Sequence, residues 1–165
     1  MDEHERTSGW LEHRQNRQLG GRVIADIYAD WPSPDFGLGG LQLGPDGDLL
    51  MVDGDSELRQ RVSRRVLTNN RQVVDSGTPL PSDYIFDNNF GTGARRWVGS
   101  AQSSAKLETL RQQIRDGVMG EEGISPSPPP DVSLQTGANN VLFVSVTFTS
   151  AASQRTLSTP RIALA

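Results

Sequence analysis

Between Val141 and Thr149 the chain reads VLFVSVTFT, a strict alternation in which Leu142, Val144, Val146 and Phe148 fall on one side and Val141, Phe143, Ser145, Thr147 and Thr149 on the other. Successive side chains of a β-strand point to opposite faces, so this run is predicted to be a strand with one apolar face that must be covered. Val132 and Leu134 precede a Gly-Ala-Asn-Asn turn at Gly137 to Asn140. Together these segments predict an antiparallel hairpin over Val132 to Thr149. The closing RTLSTPRIALA, Arg155 to Ala165, reads as a short edge segment, because Pro160 would disrupt a central strand but is tolerated at an edge.

Two helical patterns supply cover for that face. Leu58, Val62 and Val66 recur every four residues among Arg59, Arg61, Arg64 and Arg65, predicting a helix from Glu57 to about Leu67 capped by Asp55 or Ser56. Leu107, Leu110, Ile114 and Val118 predict a second helix stopped by Gly117 or Gly120, and ISPSPPPD then prevents continuation because successive prolines lack amide donors. Between them, Thr68 to Gly99 is dominated by turn formers, and a loop of that length is uncommon in a compact domain unless it has a function. Gly91 and Gly93 are expected to let Tyr84, Phe86, Phe90 and Trp97 turn back over the helices.

Upstream, RVIADIYAD reads as a short strand or turn segment, followed by a Pro/Gly loop carrying Trp31 and Phe36 onto the body. Leu49 to Val52 reads as a strand or half of a small hairpin. Met1 to Gln18 is polar, holds His4 and His13, and has Trp10 and Leu11 as its substantial apolar group; it reads as a tail that orders against a partner. The predicted class is therefore α+β: a small antiparallel sheet packed with two to three helices, a long aromatic and Gly-rich loop, and an extended N-terminal segment. The expected organisation is an extension over 1–45, a domain over 46–150 and an edge segment over 151–165.

Charge and composition remove several functions. A net charge of -4 and a pI near 5.1 lack the basic footprint of a general nucleic-acid binder. The absence of cysteine excludes disulfides, thiolate metal sites and cysteine nucleophiles. The charged N-terminus has no secretory core, and no run approaches the ~20 apolar residues of a membrane span, so synthesis in the cytoplasm is expected. Lys106 is the sole lysine beside many arginines, whose planar donor forks suit carboxylates at protein interfaces.

DGDLLMVDGD, Asp46 to Asp55, superficially matches a calcium loop. Counting from Asp46, however, the fifth and sixth positions are Leu50 and Met51, where an EF-hand needs an oxygen ligand and glycine. Leu50 and Met51 are expected to be buried instead. FGTGARR, Phe90 to Arg96, lacks the third glycine of a dinucleotide fingerprint and the ending of a P-loop. Glu108, Asp116, Glu121 and Glu122 do not present as a catalytic pair, and the body of the domain has no histidine and no Gly-x-Ser-x-Gly elbow. No catalytic, cofactor-binding or metal-ligating residue is assigned; what remains is a binding module.

Taken in order, DGDLLMVDGDSELRQRVSRRVLT, FDNNFGTGARRWVG, LETLRQQIRDGVMGEEGI and VLFVSVTFTS resemble the baseplate wedge family of contractile phage tails, which includes the lysozyme-like wedge protein of T-even phages and the matching baseplate component of type VI secretion systems. The resemblance covers roughly residues 46–150. It rests on Leu58, Gln60, Val62, Leu67 and Thr68 in the first helix, and on Asp87, Phe90, Gly91, Gly93, Val98 and Gly99 in the turn that follows. Where some branches carry Glu-Pro-Arg after the second helix, this chain has Glu121-Glu122-Gly123, so that docking contact is not carried over.

The resemblance implies a virion structural protein in the tail baseplate, made in the host bacterial cytoplasm and present in multiple copies around a sixfold baseplate. Its implied partners are other wedge proteins, the tail sheath protein and the central hub or tube, with no cofactor, nucleic acid or membrane insertion. The implied mechanism is sheath initiation, with an open sheet edge accepting a strand from the first sheath ring. Val141, Phe143, Ser145, Thr147 and Thr149 are the expected sheet edge; Trp10, Leu11, Arg95, Arg96 and Trp97 are the expected wedge contacts. The rival expectations are a tail-associated hydrolase of cell-wall glycan and a free-standing carbohydrate- or small-molecule-binding β-rich domain.

Overall fold

A computed structural model describes residues 26–27, 43, 45–49, 51–73, 79–99, 103–137 and 141–164. Trp10, Leu11, both histidines, Trp31, Phe36 and Leu50 lie outside the described residues. Among the described residues the architecture is α+β: two α-helices, α1 (Gly54–Leu67) and α2 (Ser104–Met119), cover one face of a small antiparallel sheet. Two smaller strand pairs accompany it, β1 (Asp26–Ile27) with β2 (Met51–Val52), and β3 (Gln72–Val73) with β4 (Pro79–Leu80).

The main sheet is built on β6 (Leu142–Thr149), which pairs with β5 (Asp131–Thr136) on one flank and with β7 (Thr156–Ser158) and β8 (Ile162–Leu164) on the other. Leu142, Val144, Val146 and Phe148 are buried, as the alternation predicts, and meet Val62 and Val66 from α1 and Leu110, Ile114 and Val118 from α2 in one core. The strand expected to be an edge is therefore central. Val141, Phe143, Ser145, Thr147 and Thr149 sit on the face away from the helices, and the β6 backbone is engaged by this chain on both sides. The physical reason is that the strand richest in buried apolar side chains gains most from neighbours on both flanks, whereas short or proline-containing strands are tolerated at the rim. Residues 151–164 belong to the same sheet as β5 and β6, so the expected boundary at 150 falls within a hairpin.

Between β7 and β8 the register skips. Ser158 faces Thr147 and Ile162 faces Val144, so Thr159, Pro160 and Arg161 oppose only Ser145 and Val146, a β-bulge of one extra residue. Thr159 repairs the ladder there: its N–H donates to Val146 O at 2.9 Å, and its Oγ1 accepts from the Val146 N–H at 3.0 Å. Pro160, with no donor to offer, occupies the bulge. Thr159→Val removes the acceptor that a buried amide uses, and is expected to cost about 1–3 kcal/mol in urea unfolding; an unchanged midpoint would show that Val146 finds another partner.

The helix starts differ from expectation in one respect. The α1 N-cap is Asp53, with no side-chain cap bond, and Asp55 instead accepts from Ser153 Oγ at 2.8 Å and faces Arg155 at 3.5 Å, tying the helix to the β6–β7 turn. Ser103 caps α2 by accepting from the Lys106 N–H, and the helix runs through Gly117 to a C-cap at Gly120. Met51 is 52% exposed rather than buried; among the described residues β2 pairs with the two-residue β1 alone.

Candidate protein-interaction site

The end of α1 and the loop that follows it close into one hydrogen-bonded unit. The last turn of a helix leaves carbonyls without intrahelical donors. Here Thr92 N–H donates to Arg65 O and Thr68 O, both at 3.0 Å, Gly93 N–H donates to Thr68 O at 3.2 Å, and Thr92 Oγ1 donates to Val66 O at 3.0 Å. The loop thus caps the helix from a distant part of the sequence. Gly91 is required by this approach: its φ is +111°, and a Cβ would overlap the Thr68 carbonyl. From the other side Gln113 Nε2 donates to Thr92 O, and Trp97 Nε1 donates to Gln113 Oε1 at 3.2 Å.

A buried ion cluster joins the same helix to the end of α2. Glu121 accepts from Arg61 Nη2, and from Arg65 Nε at 2.6 Å; Glu57 pairs with Arg61 at 3.3 Å. The Arg65 guanidinium also lies over the Phe90 ring, 4.5 Å from its centroid. The first residue of the Glu121-Glu122-Gly123 stretch is therefore bound inside the fold.

The aromatic loop divides between core and solvent. Phe90 and Trp97 are half-buried, but Ile85 and Phe86 are 84% and 81% exposed, so Phe86 does not cover the helices and Tyr84 does so only in part. Several hydrogen bonds hold this tip in place. Asp83 N–H donates to Asn69 O at 2.8 Å, Asn69 N–H donates to Asp83 Oδ2 at 2.8 Å, and Arg71 N–H donates to Asn88 O at 2.7 Å. Arg96 reaches Asn70 O at 2.6 Å and Pro81 O at 2.5 Å. Of the expected contacts Arg95, Arg96 and Trp97, the last two are thus engaged within the chain, and Arg95 has the exposed side chain. Sequence reasoning misses the apolar tip, Tyr84-Ile85-Phe86 between Asp83 and Asp87; acids bracketing an apolar triplet among turn formers are its available signal.

The strand edge capable of pairing outward is β5. Val146 directs both its backbone groups to Thr159, so in the β5–β6 ladder Val132, opposite Val146, directs its own N–H and C=O away from β6. Leu134, two residues on, does the same by alternation. No strand lies on that outer side among the described residues.

Two grooves lie beside the helices among the described residues. The larger, about 970 Å³, is lined by α2 and by Asn70, Asn89 and Gly91, and it places Glu108 and Asp116 along one wall. Both carboxylates are exposed; Glu108 pairs with Arg111, and Asp116 accepts from Gln112 Nε2 at 2.7 Å. A smaller groove, about 560 Å³, lies along the Glu121 cluster and Tyr84. Among the described residues no group of three or more His, Asp or Glu is placed to hold a metal ion, and no helix is long and apolar enough to cross a membrane. No protein-family model and no curated protein matches the chain.

Proposed function

We propose that this chain is a structural component of a contractile-tail baseplate, a wedge or sheath-initiator subunit that binds other wedge proteins and offers a sheet edge to the first ring of sheath. The observation carrying the reading is the outer edge of β5: a regular six-residue strand whose Val132 and Leu134 backbone groups face away from the rest of the sheet. An extended segment of a sheath subunit would add there by main-chain hydrogen bonding, which needs little side-chain specificity. Support also comes from the family-like motifs, since Thr68 and the turn at Phe90 to Gly93 meet in one capped helix end. The wedge partners would meet the exposed tip at Ile85 and Phe86, together with Arg95. On this reading the chain binds and positions rather than turns over a substrate, and the exposure of both Glu108 and Asp116, neither of them set in a buried cleft, favours it over glycan hydrolysis.

The test is a single edge substitution. Leu134→Pro removes an outward donor without touching the β5–β6 ladder, so particles carrying it should form baseplates but leave sheath unpolymerised. Sheath of normal length on baseplates containing the folded variant would refute strand addition at β5.

A further inference from the structure

The two rims of the main sheet are not equally available. On the β7–β8 rim, strands of three residues are broken by the bulge at Thr159 to Arg161, and Pro160 offers no N–H. On the β5 rim the strand is continuous and free of proline and glycine, but two arginines of α2 lie against its start. Arg111 Nε donates to Val132 O at 3.1 Å, and Arg115 Nε donates to Pro130 O at 3.0 Å. Each guanidinium is itself held by its helix, Arg111 by Glu108 and Arg115 by Gln112 Oε1 at 3.2 Å. These are contacts that an incoming strand's amides would otherwise make.

We infer that Arg111 and Arg115 guard the β5 edge and set the register of the sheath strand it accepts. The inference rests on the strand-addition reading above and deepens it. The guanidiniums occupy the outward acceptors of Pro130 and Val132, so a strand from another polypeptide takes the edge from Leu134 toward the hairpin turn and stops at the arginines. A second copy of this chain, which would need the whole strand for a stable edge-to-edge pair, finds half of it closed. Covering a sheet rim with charged side chains is a general defence against such pairing. Here the same two side chains would also fix how far a legitimate partner can slide, which local alternation alone leaves open by steps of two residues.

Two variants of the full chain separate this from a packing role. Arg111→Met/Arg115→Met keeps the aliphatic stems and deletes the donors, whereas Arg111→Lys/Arg115→Lys keeps a donor at each site. By sedimentation equilibrium, the Met protein should dimerise about tenfold more tightly than wild type, and the Lys protein should behave as wild type. A folded Met protein that associates no more strongly than wild type overturns the guard.

If the Met protein fails to fold, wild type titrated with a short synthetic Thr-Val repeat peptide decides by amide NMR. Shifts concentrated at Leu134 and fading before Val132 support the register stop. Equal shifts at Asp131 to Leu134, shifts at Ile162 to Leu164, or none on β5 overturn it. These measurements need no sheath. A failed guard therefore leaves sheath assembly on the Leu134→Pro particles as an open and separate test of the function, and the reverse also holds.

Discussion

A Gly91→Ala protein is expected to lose about 3–5 kcal/mol of stability, lowering Tm by roughly 10 °C. Two costs combine. A substituted residue resists a φ of +111°, and the new methyl would meet the Thr68 carbonyl, which cannot withdraw because it accepts the N–H groups of both Thr92 and Gly93. Loss of that contact uncaps α1 and frees the loop that carries the exposed tip. Gly47→Ala is the internal control: its φ of +82° is also unfavourable, but nothing lies within 4 Å of the added carbon, so only the backbone cost applies. Equal effects of the two substitutions in thermal melts would show that the Thr68 contact contributes nothing.

Glu121→Ala should be comparably damaging, about 3 kcal/mol, because it leaves Arg61 and Arg65 facing each other without the carboxylate they share. That loss sits at the low end of the range for broken buried pairs because the Arg61 side chain is 21% exposed and partly recovers hydration. Replacing the cluster as a whole, with Glu57→Gln, Arg61→Met, Arg65→Met and Glu121→Leu together, should restore most of the loss, since an uncharged set of similar volume avoids burying an unpaired ion. Urea is the proper denaturant, because guanidinium salt would screen the interaction being measured. A quadruple variant no more stable than Glu121→Ala would show that the cluster acts through specific geometry rather than through charge balance.

Local periodicity makes the two helices and β6 legible in the sequence. Val62 and Val66, Leu110 and Ile114, and the buried face from Leu142 to Phe148 are set by spacing that a single element imposes on its own residues. Spacing reports which face is covered but not which neighbour covers it, and the departures follow from that. The alternation in β6 is compatible with an edge or a centre, and only pairing with β7 and β8 decides. Phe86 and Phe90 are both aromatic residues of one turn-rich stretch, yet bonds from Asn69, Arg71 and Arg96 turn the first outward while Arg65 covers the second. Glu121 reads as surface charge after a helix end because its partners lie far back in the sequence on α1. The guarding arginines are hidden for the same reason: nothing near Arg111 or Arg115 in sequence announces a carbonyl of β5.

The extra residue between β7 and β8 acts as a phase shifter. Leu157 points into the core from an odd-numbered position, while Ile162 and Leu164 point inward from even-numbered ones. Uninterrupted alternation could not bury all three; it would turn Arg161 and Ala163 toward the helices and send Ile162 and Leu164 into water. Shortening the chain by one residue anywhere from Thr159 to Arg161 would instead remove the bulge and leave Ile162 and Leu164 facing inward, so the extra residue and the bulge that absorbs it cancel in their effect on which face is buried.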